Sequence, residues 1–148
     1  MSSYTQILYQ IIFSTKNREK VLIEKNRTEL FNYIWGVIKN KKSHLYRIGG
    51  IEDHIHILTH LHPRIALADL IKDVKVSSSL MIKEKNTFPK FKGWQIGYGA
   101  FTYSIDAKEK LIKYIINQPE HHKKETYIDE FKRILKEFGV KYDEKYLL

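Results

Sequence analysis

The chain has 148 residues, of which 26 are Lys or Arg and 17 are Asp or Glu, giving a formal net charge of +9. With 43% hydrophobic residues, we expect one domain, residues 1–148, with a buried core, and not a disordered basic tail. The absence of cysteine excludes a disulfide framework, a thiolate metal site and a cysteine nucleophile. Because no apolar run reaches about 18 residues and no signal-peptide pattern opens the chain, we expect a cytoplasmic protein with no membrane partner. The positive excess favours an anionic partner, with nucleic acid first.

Hydrophobic periodicity predicts four strands and four helices in the order β-α-β-β-α-β-α-α. In chain order they are a strand over 4–14, a helix over 27–41 capped by Asn26, strands over 43–49 and 53–61, a helix over 66–85, a strand over 94–104, a helix from Asp106 to about Asn117 stopped by Pro119, and a helix over 126–138 ending at Gly139. The short Gly-Gly link favours antiparallel pairing of strands 43–49 and 53–61. The fold class is therefore α+β, a ferredoxin-like or RRM-like split β-α-β antiparallel sheet packed with helices, plus C-terminal helices.

Two histidines, His54 and His56, flank a single isoleucine in the third predicted strand. Alternate residues of a strand point to one face about 6–7 Å apart, so the two imidazoles can converge on one metal ion. By spacing alone, they are equally consistent with ordinary surface histidines on a half-exposed sheet. Asp53 is expected to point to the opposite face, and His60 and His62 to lie past the strand end, so none of these three is taken as a ligand.

A tyrosine and an amide, Tyr114 and Gln118, lie one turn apart on the helix predicted before Pro119. A phenol can attack a phosphodiester and form a covalent phosphotyrosine, although its free pKa of about 10 means that it needs activation. Lys110, one turn earlier, is a candidate for lowering that pKa through its charge. The Gln118 amide oxygen offers a hard ligand to a metal ion. Without further information, one tyrosine among ten is more often a packed aromatic side chain.

The segment GGIEDHIHIL at 49–58 resembles the GG-x-x-D-H-U-H-U-L signature of HUH nucleases, in which U is a bulky apolar residue. Together with Tyr114-x-x-x-Gln118, it resembles the single-tyrosine transposases of the insertion sequence 200/605 family. The segments GWQIGYGAF at 93–101 and IINQPEHH at 115–122 are also typical of one branch of that family. The resemblance covers nearly the whole chain, with the motifs in the expected order and in the expected predicted elements.

The resemblance implies a single-strand DNA endonuclease and strand transferase, with His54, His56 and Gln118 as ligands of a divalent metal ion and Tyr114 as the nucleophile. Family members cut single-stranded DNA at hairpin-containing transposon ends, remain joined to the 5′ phosphate through the tyrosine, and transfer the strand to a free 3′-OH. They work as dimers in which the tyrosine helix of one subunit can complete the site of the other. The resemblance therefore implies a homodimer in the prokaryotic cytoplasm, associated with the nucleoid.

The chemistry of the implied site limits the choice of cofactor. A phosphate substrate suits Mg²⁺ or Mn²⁺, and imidazole ligation favours Mn²⁺ in vitro. No nucleotide cofactor is expected, because the energy is kept in the phosphotyrosine ester and the sequence has no G-x-x-x-x-G-K-[ST] loop.

The positive charge is concentrated in residues 1–128, because residues 129–148 hold five basic and five acidic side chains. Two basic clusters flank the first predicted helix, and we take them as the first candidates for contacts with DNA phosphates. Their members are Lys16, Arg18, Lys39, Lys41 and Lys42.

Two other functions fit parts of the pattern. The segment GYGAF at 97–101 is similar to the aromatic strand of an RNA-recognition module, in which bases stack on Tyr or Phe. Two residues argue against such a module: Ile96 stands where the motif usually has a basic residue, and Ala100 shifts the next aromatic residue out of its usual position in the motif. An RNA-recognition module also has no need of His-x-His. A replication initiator or relaxase-like nicking enzyme would use the same chemistry, but such proteins are usually longer or carry extra domains.

Overall fold

The structure is a computed structural model that describes residues 3–147, so Met1, Ser2 and Leu148, at the ends of the predicted domain, lie outside the described residues. Its main elements are β1 (Leu8–Ser14), α1 (Glu24–Asn40), β2 (His44–Gly50), β3 (His54–His60), α2 (Leu67–Lys85), β4 (Gly99–Tyr103), α3 (Lys108–Ile116), α4 (Gln118–His121) and α5 (Tyr127–Glu137). The predicted β-α-β-β-α-β order and the α+β class are confirmed. Among the described residues, no helix combines the length and the apolarity that crossing a membrane requires.

The four strands form one antiparallel sheet in the order β2-β3-β1-β4. Between the two central strands, Ser14 lies opposite His54 and Ile12 lies opposite His56. The predicted antiparallel pairing of the second and third strands is also confirmed, with Gly49 opposite His56. The histidine pair therefore lies on a central strand, where neighbouring backbones fix its position on both sides.

One face of the sheet packs against α1 and α2. The odd-numbered residues of β1 and β3 point to this face. The even-numbered residues, including His54 and His56, point to the other face, because side chains alternate along a strand. The buried cluster includes Ile11, Phe13, Ile55 and Ile57 from the sheet, Leu30, Ile34 and Ile38 from α1, and Leu70, Ile71 and Val74 from α2. Burying each such side chain contributes about 1.5–3 kcal/mol, so this layer is a major source of the sheet's stability.

The opposite face, which carries the even-numbered residues and the histidine pair, is covered by α3 and α5. The contacts join Leu8 and Leu58 to Leu111 and Ile115, and Ile12 and Phe101 to Tyr127, Ile134 and Leu135. The sheet is therefore enclosed on both sides, and the imidazoles lie inside the protein.

This covering removes the feature that an RNA-recognition module requires. Such a module stacks bases on aromatic residues of an open sheet face. Phe101 lies under α5 with only 4% of its surface exposed, and Tyr98 precedes β4. The RNA-recognition alternative therefore lacks its binding platform in this fold.

The predicted bounds of several elements are wrong. The first strand begins at Leu8 and not at residue 4. α1 begins at Glu24 after Ile23, and Asn26 does not cap it, because its side-chain amide donates instead to the Thr87 carbonyl. The predicted strand over 94–104 is reduced to β4, because the preceding residues leave the sheet after a single bridge between Trp94 and Thr15. Gly97 has a φ of 92°, a left-handed conformation that interrupts an extended strand.

The helix predicted from Asp106 to Asn117 is also divided differently. It opens as a 3-10 turn at Ile105–Ala107, and α3 then ends at Ile116. Pro119 does not simply stop a helix, because it lies in the first turn of α4, where its missing N–H is not needed. Gln118 therefore begins α4 and is separated from Tyr114 by a break at Asn117.

Close packing of α3 on β2 depends on Gly49. A β-carbon at this position would lie 2.8 Å from Ile115 Cγ2 and 2.9 Å from the Ile115 carbonyl oxygen. Since the carbonyl cannot move unless α3 moves, we expect Gly49→Ala to lower the free energy of unfolding by about 1–3 kcal/mol. Urea denaturation measures this, and Gly36→Ala is the control because a β-carbon there meets nothing within 4 Å. Unchanged stability of Gly49→Ala would contradict the expectation.

Candidate active site

His54 and His56 lie side by side on β3, and both are 0% exposed. Their ring centroids are 5.1 Å apart. His54 Nδ1 lies 2.7 Å from Asp53 Oδ1, and His56 Nδ1 lies 2.9 Å from Gln10 Oε1. An imidazole that donates through Nδ1 leaves Nε2 for another partner, so both Nε2 atoms serve a common site. The interpretation of this pair as ordinary surface histidines is wrong.

The three neighbours set aside as ligands have other contacts. Asp53 does not point away from His54, because β3 begins at His54 and strand alternation does not extend to the preceding residue. Its carboxylate contacts the ring nitrogen that faces away from the common site and so orients the imidazole. His60 does not lie past the strand end, because it is the last residue of β3, and its Nδ1 accepts from the Ile7 amide. His62 does follow the strand, and its Nδ1 accepts from the Arg64 amide.

Gln118 is buried beside the histidine pair, although it belongs to α4 and not to the helix of Tyr114. Its Oε1 lies 2.9 Å from His54 Nε2. Its Nε2 donates to Glu130 Oε2 over 2.9 Å. The fold therefore brings the third predicted ligand to the first two, with the amide oxygen on the side of the imidazoles.

Tyr114 lies on α3, and its hydroxyl reaches the same cluster. The hydroxyl donates to Glu130 and accepts from Arg133 Nη2 over 2.9 Å. The ring centroid lies 5.9 Å from that of His56. Burial and the negative charge of Glu130 raise the pKa of Tyr114, while Arg133 opposes the rise. The cation in contact with the phenol is thus Arg133 of α5, where the sequence suggested Lys110.

Two residues at the centre of this cluster, Glu130 and His122, were missed at the level of sequence. Glu130 is 0% exposed, and the His122 side chain is 3% exposed. Glu130 Oε1 lies 3.1 Å from His122 Nε2, 3.2 Å from His56 Nε2 and 3.4 Å from His54 Nε2. A glutamate on the inward side of an amphipathic helix was the available signal, because an unpaired carboxylate is rarely buried.

The charge states follow from these contacts. Burial lowers the pKa of His54, but hydrogen bonds and charges from Asp53 and Glu130 outweigh it and raise the pKa to about 9. For His56, burial prevails over the attraction of Glu130 and lowers the pKa to about 4. Burial raises the pKa of Glu130, but hydrogen bonds from His122, His54 and His56 outweigh it and hold that pKa far below its usual range. At neutral pH, a protonated His54 therefore faces an ionised Glu130.

The donor set suits a divalent metal ion. The ligand atoms of His54, His56, His122 and Glu130 all lie within 4.8 Å of one another. Imidazole nitrogens and carboxylate or amide oxygens together are typical ligands of divalent transition metals, whereas Mg²⁺ prefers oxygen. This buried His/Glu group can hold a metal ion.

The predicted DNA-binding residues fall into two separate groups. Arg18 follows Lys16 in a 3-10 turn and lines a cavity of about 440 Å³ together with Asp53 and His122. Lys39, Lys41 and Lys42 lie at the other end of α1, whose 17 residues span about 25 Å at about 1.5 Å per residue. Lys41 is also paired with Asp73. Only the first group is close to the histidine cluster.

Comparisons with known proteins address the family and the fold of the chain. Residues 3–118 match the family described as "Transposase IS200 like". A Deinococcus radiodurans protein classed as a transposase is similar in structure, with a TM-score of 0.62 at 23% identity, covering 80% of this chain and 95% of that one. A REP-associated tyrosine transposase bound to a REP hairpin is similar with a TM-score of 0.62 at 16% identity, covering 82% of this chain and 74% of that one. A search among curated proteins finds no match. The family match spans most of the chain, including both histidines and Tyr114, and the chain therefore belongs to the IS200-like transposases.

Proposed function

We propose that this transposase cuts and rejoins single-stranded DNA at hairpin-containing ends through a covalent 5′-phosphotyrosine on Tyr114. One observation carries the proposal. The Tyr114 hydroxyl and the Nε2 atoms of His54 and His56 all contact a single carboxylate, that of Glu130. A candidate nucleophile and candidate metal ligands are thereby held at one place, as a metal-assisted attack on a phosphodiester requires.

In the proposed reaction, the Tyr114 oxygen attacks the scissile phosphorus, forming an O–P bond as the bond from phosphorus to the 3′ oxygen breaks. The phenolic proton is released and the departing 3′ oxygen takes up a proton. The 5′ phosphate stays on Tyr114. A free 3′-OH then attacks the phosphotyrosine, which joins two DNA strands and restores the phenol. The reversal is favourable because a phenol, with a pKa of about 10, leaves more readily than an aliphatic alcohol.

The proposed ligands of a divalent ion, Mg²⁺ or Mn²⁺, are His54, His56 and Gln118. When bound, the ion would supply Lewis-acid polarisation of the phosphate oxygens. Asp53 and Gln10 orient the two imidazoles through their Nδ1 atoms, which keeps both Nε2 atoms turned toward the site.

The scissile phosphate has a positively charged approach to Tyr114. The tyrosine is half-buried and lines a cavity of about 410 Å³ with Gln10, Lys110 and Arg133. Arg133 contacts the hydroxyl, and Lys110 lines the same cavity, which also includes Glu137. The two cationic side chains would attract and orient an anionic diester. Lys110, which the sequence suggested as the cation that lowers the Tyr114 pKa, is therefore proposed as a phosphate contact instead, because Arg133 is the cation bonded to the phenol.

We propose single-stranded DNA with hairpin ends as the partner, bound by a homodimer in the prokaryotic cytoplasm near the nucleoid. The net charge of +9 supports an anionic partner. The structural relative bound to a REP hairpin supports a folded DNA end, since its fold is similar to that of this chain.

The test is covalent capture. The protein is incubated with Mn²⁺ and a labelled single-stranded oligonucleotide that carries a hairpin end from the DNA flanking its own gene. We expect a denaturant-stable adduct whose tryptic peptide, identified by mass spectrometry, carries the 5′ phosphate on Tyr114. An added 3′-OH strand should then be joined as the adduct disappears. No adduct would overturn the proposal, and an adduct that never rejoins would favour the nicking-enzyme alternative.

The Lys16 and Arg18 cluster should contact phosphates close to the cleavage point. We expect Lys16→Ala/Arg18→Ala to weaken single-strand binding and to make the slope of log affinity against log salt shallower by about 1.4, or about 0.7 per phosphate lost. Fluorescence anisotropy at several salt concentrations measures both quantities. Lys39→Ala/Lys41→Ala/Lys42→Ala is the comparison, and we expect it to weaken binding of a hairpin but not of a short single strand. An unchanged slope for the first variant would contradict its assignment.

A further inference from the structure

Two side chains from beyond the matched family range converge on the same point as the histidine pair. The family match ends at Gln118, whereas His122 follows α4 and Glu130 lies on α5. The Nε2 atoms of three histidines surround one oxygen, Glu130 Oε1, at 3.1–3.4 Å. This convergence is not explained by the ligands that the family motif supplies.

We propose that Glu130 and His122 are additional ligands of the metal ion, so that the C-terminal helix α5 forms part of the metal centre. The inference rests on the proposed function, because it concerns the same ion that His54, His56 and Gln118 would hold. It differs in assigning to the site a carboxylate and a third imidazole.

The orientation of His122 matches that of the other two imidazoles. Its Nδ1 lies 2.7 Å from the Glu125 carbonyl oxygen, a bond in which only the histidine can donate. Its Nε2 is therefore left for the common site, as in His54 and His56. Metal-bound histidines usually donate their other ring nitrogen to a carboxylate or carbonyl in this way. All three rings are thus fixed in the tautomer, or protonation state, that directs Nε2 inward.

The spacing of the donors agrees with one coordination shell. Ligand atoms about 2.1 Å from a metal ion are about 3.0–3.4 Å from one another in octahedral or tetrahedral geometry. The separations of Glu130 Oε1 from the three imidazole nitrogens fall within that range, and Gln118 Oε1 is 2.9 Å from His54 Nε2.

The burial of Glu130 has a clear reason if it binds a cation. A carboxylate taken out of water loses several kcal/mol of solvation, which only close opposite charge offsets. A divalent ion held by the same side chains would supply that opposite charge. Three imidazoles with one carboxylate also favour a transition ion such as Mn²⁺ over Mg²⁺, which keeps oxygen ligands and water.

Glu130 also connects this centre to the nucleophile. While Oε1 faces the imidazoles, Oε2 accepts hydrogen bonds from the Tyr114 hydroxyl and from Gln118 Nε2. One carboxylate group is thus shared between the metal side and the tyrosine side of the site. Glu130 would hold the Tyr114 hydroxyl beside the ion from within the same chain.

Metal binding measured without DNA tests the proposal. Mn²⁺ and Mg²⁺ are titrated into the full-length protein by calorimetry, and the loss of the free Mn²⁺ signal is followed by electron paramagnetic resonance. We expect Mn²⁺ to bind at least about tenfold more tightly than Mg²⁺, and Glu130→Gln and His122→Asn each to weaken Mn²⁺ binding by about 10–100-fold. The matched controls are Asp129→Asn, exposed on the same helix, and His44→Asn, exposed on β2. Both should bind Mn²⁺ as the wild type does.

The outcomes separate this inference from the proposed function. Wild-type Mn²⁺ affinity in both Glu130→Gln and His122→Asn, with adduct formation intact in the unaltered protein, would overturn the additional ligands alone. Weakened binding in both folded variants, with no adduct from the wild type, would support the ligands and overturn the proposed reaction. Circular dichroism establishes that each variant is folded, and two substitutions on different elements guard against the loss of one to misfolding.

Discussion

Tyr114→Phe should abolish the covalent protein–DNA adduct while leaving the protein folded. The substitution removes the oxygen that attacks phosphorus but keeps the ring, which packs beside His56 and His121. Because the phenol oxygen is the proposed attacking atom, we expect strand transfer to fall by at least about 10³-fold. The hydrogen bonds to Glu130 and from Arg133 are also lost, which we expect to lower the free energy of unfolding by about 1–2 kcal/mol. Denaturing gels of labelled DNA and urea denaturation measure the two effects.

Tyr33→Phe is the matched control for that experiment. Tyr33 lies on α1, which packs on the face of the sheet away from the histidines, and is 36% exposed. It should form as much adduct as the wild type. DNA affinity should be nearly unchanged in both variants, since the phenol contributes to the reaction more than to binding. An undiminished adduct in Tyr114→Phe would show that another residue attacks and would contradict the assignment of the nucleophile.

The central strands were predictable from sequence because burial on a sheet imposes a period of two. In β1 and β3, that period separates the apolar face from the face of His54 and His56, and the observed register preserves it. The bounds of β4 were not predictable in the same way. Aromatic residues at 94–98 have strand propensity, but the backbone at Gly97 turns away from the sheet. Propensity alone does not record such a local conformation.

Gln118 was predicted to lie near the two histidines, and it does, although the helix predicted to carry it is wrong. Its spacing from Tyr114 placed both residues on one face of a continuous helix, whereas the structure breaks the chain at Asn117 and starts α4 at Gln118. The amide still reaches His54, because a short α4 packs next to α3.

Periodicity places Glu130 on the same side of its helix as Leu135, but it identifies neither the partners of Glu130 nor His122. Leu135 is buried, whereas Phe138, which follows α5, is 38% exposed. A glutamate on that side of the helix cannot be assigned a role until the strand that it faces is known. Its partners lie more than seventy positions earlier in the chain, at His54 and His56. Only the folding of α5 onto β3 assembles the group, so its chemistry arises from tertiary structure.

Replacing either strand histidine by alanine should remove both Mn²⁺ binding and the adduct, but the two variants should differ in stability. Each loss takes one imidazole from the proposed metal centre, and we expect activity to fall by at least about 10²-fold in both. His54 contacts the carboxylates of Asp53 and Glu130, and its pKa is raised to about 9, so it carries the positive charge that faces Glu130. Its removal leaves a buried carboxylate without that partner and should lower the free energy of unfolding by about 3–5 kcal/mol.

His56→Ala should be milder, because its pKa is lowered to about 4 and the side chain is neutral at pH 7. We expect about 1–3 kcal/mol, because the loss of its hydrogen bond leaves the buried Gln10 amide oxygen without that donor. Urea denaturation in the presence of a chelator measures both values, and His44→Ala, exposed on β2, is the control. Equal stability of the two variants would contradict the charge assignment, and retained cleavage in both would contradict the metal ligands. We expect His56→Ala to stay folded but to lose both Mn²⁺ binding and adduct formation. That result would show that the reaction depends on the ion and not on the integrity of the sheet.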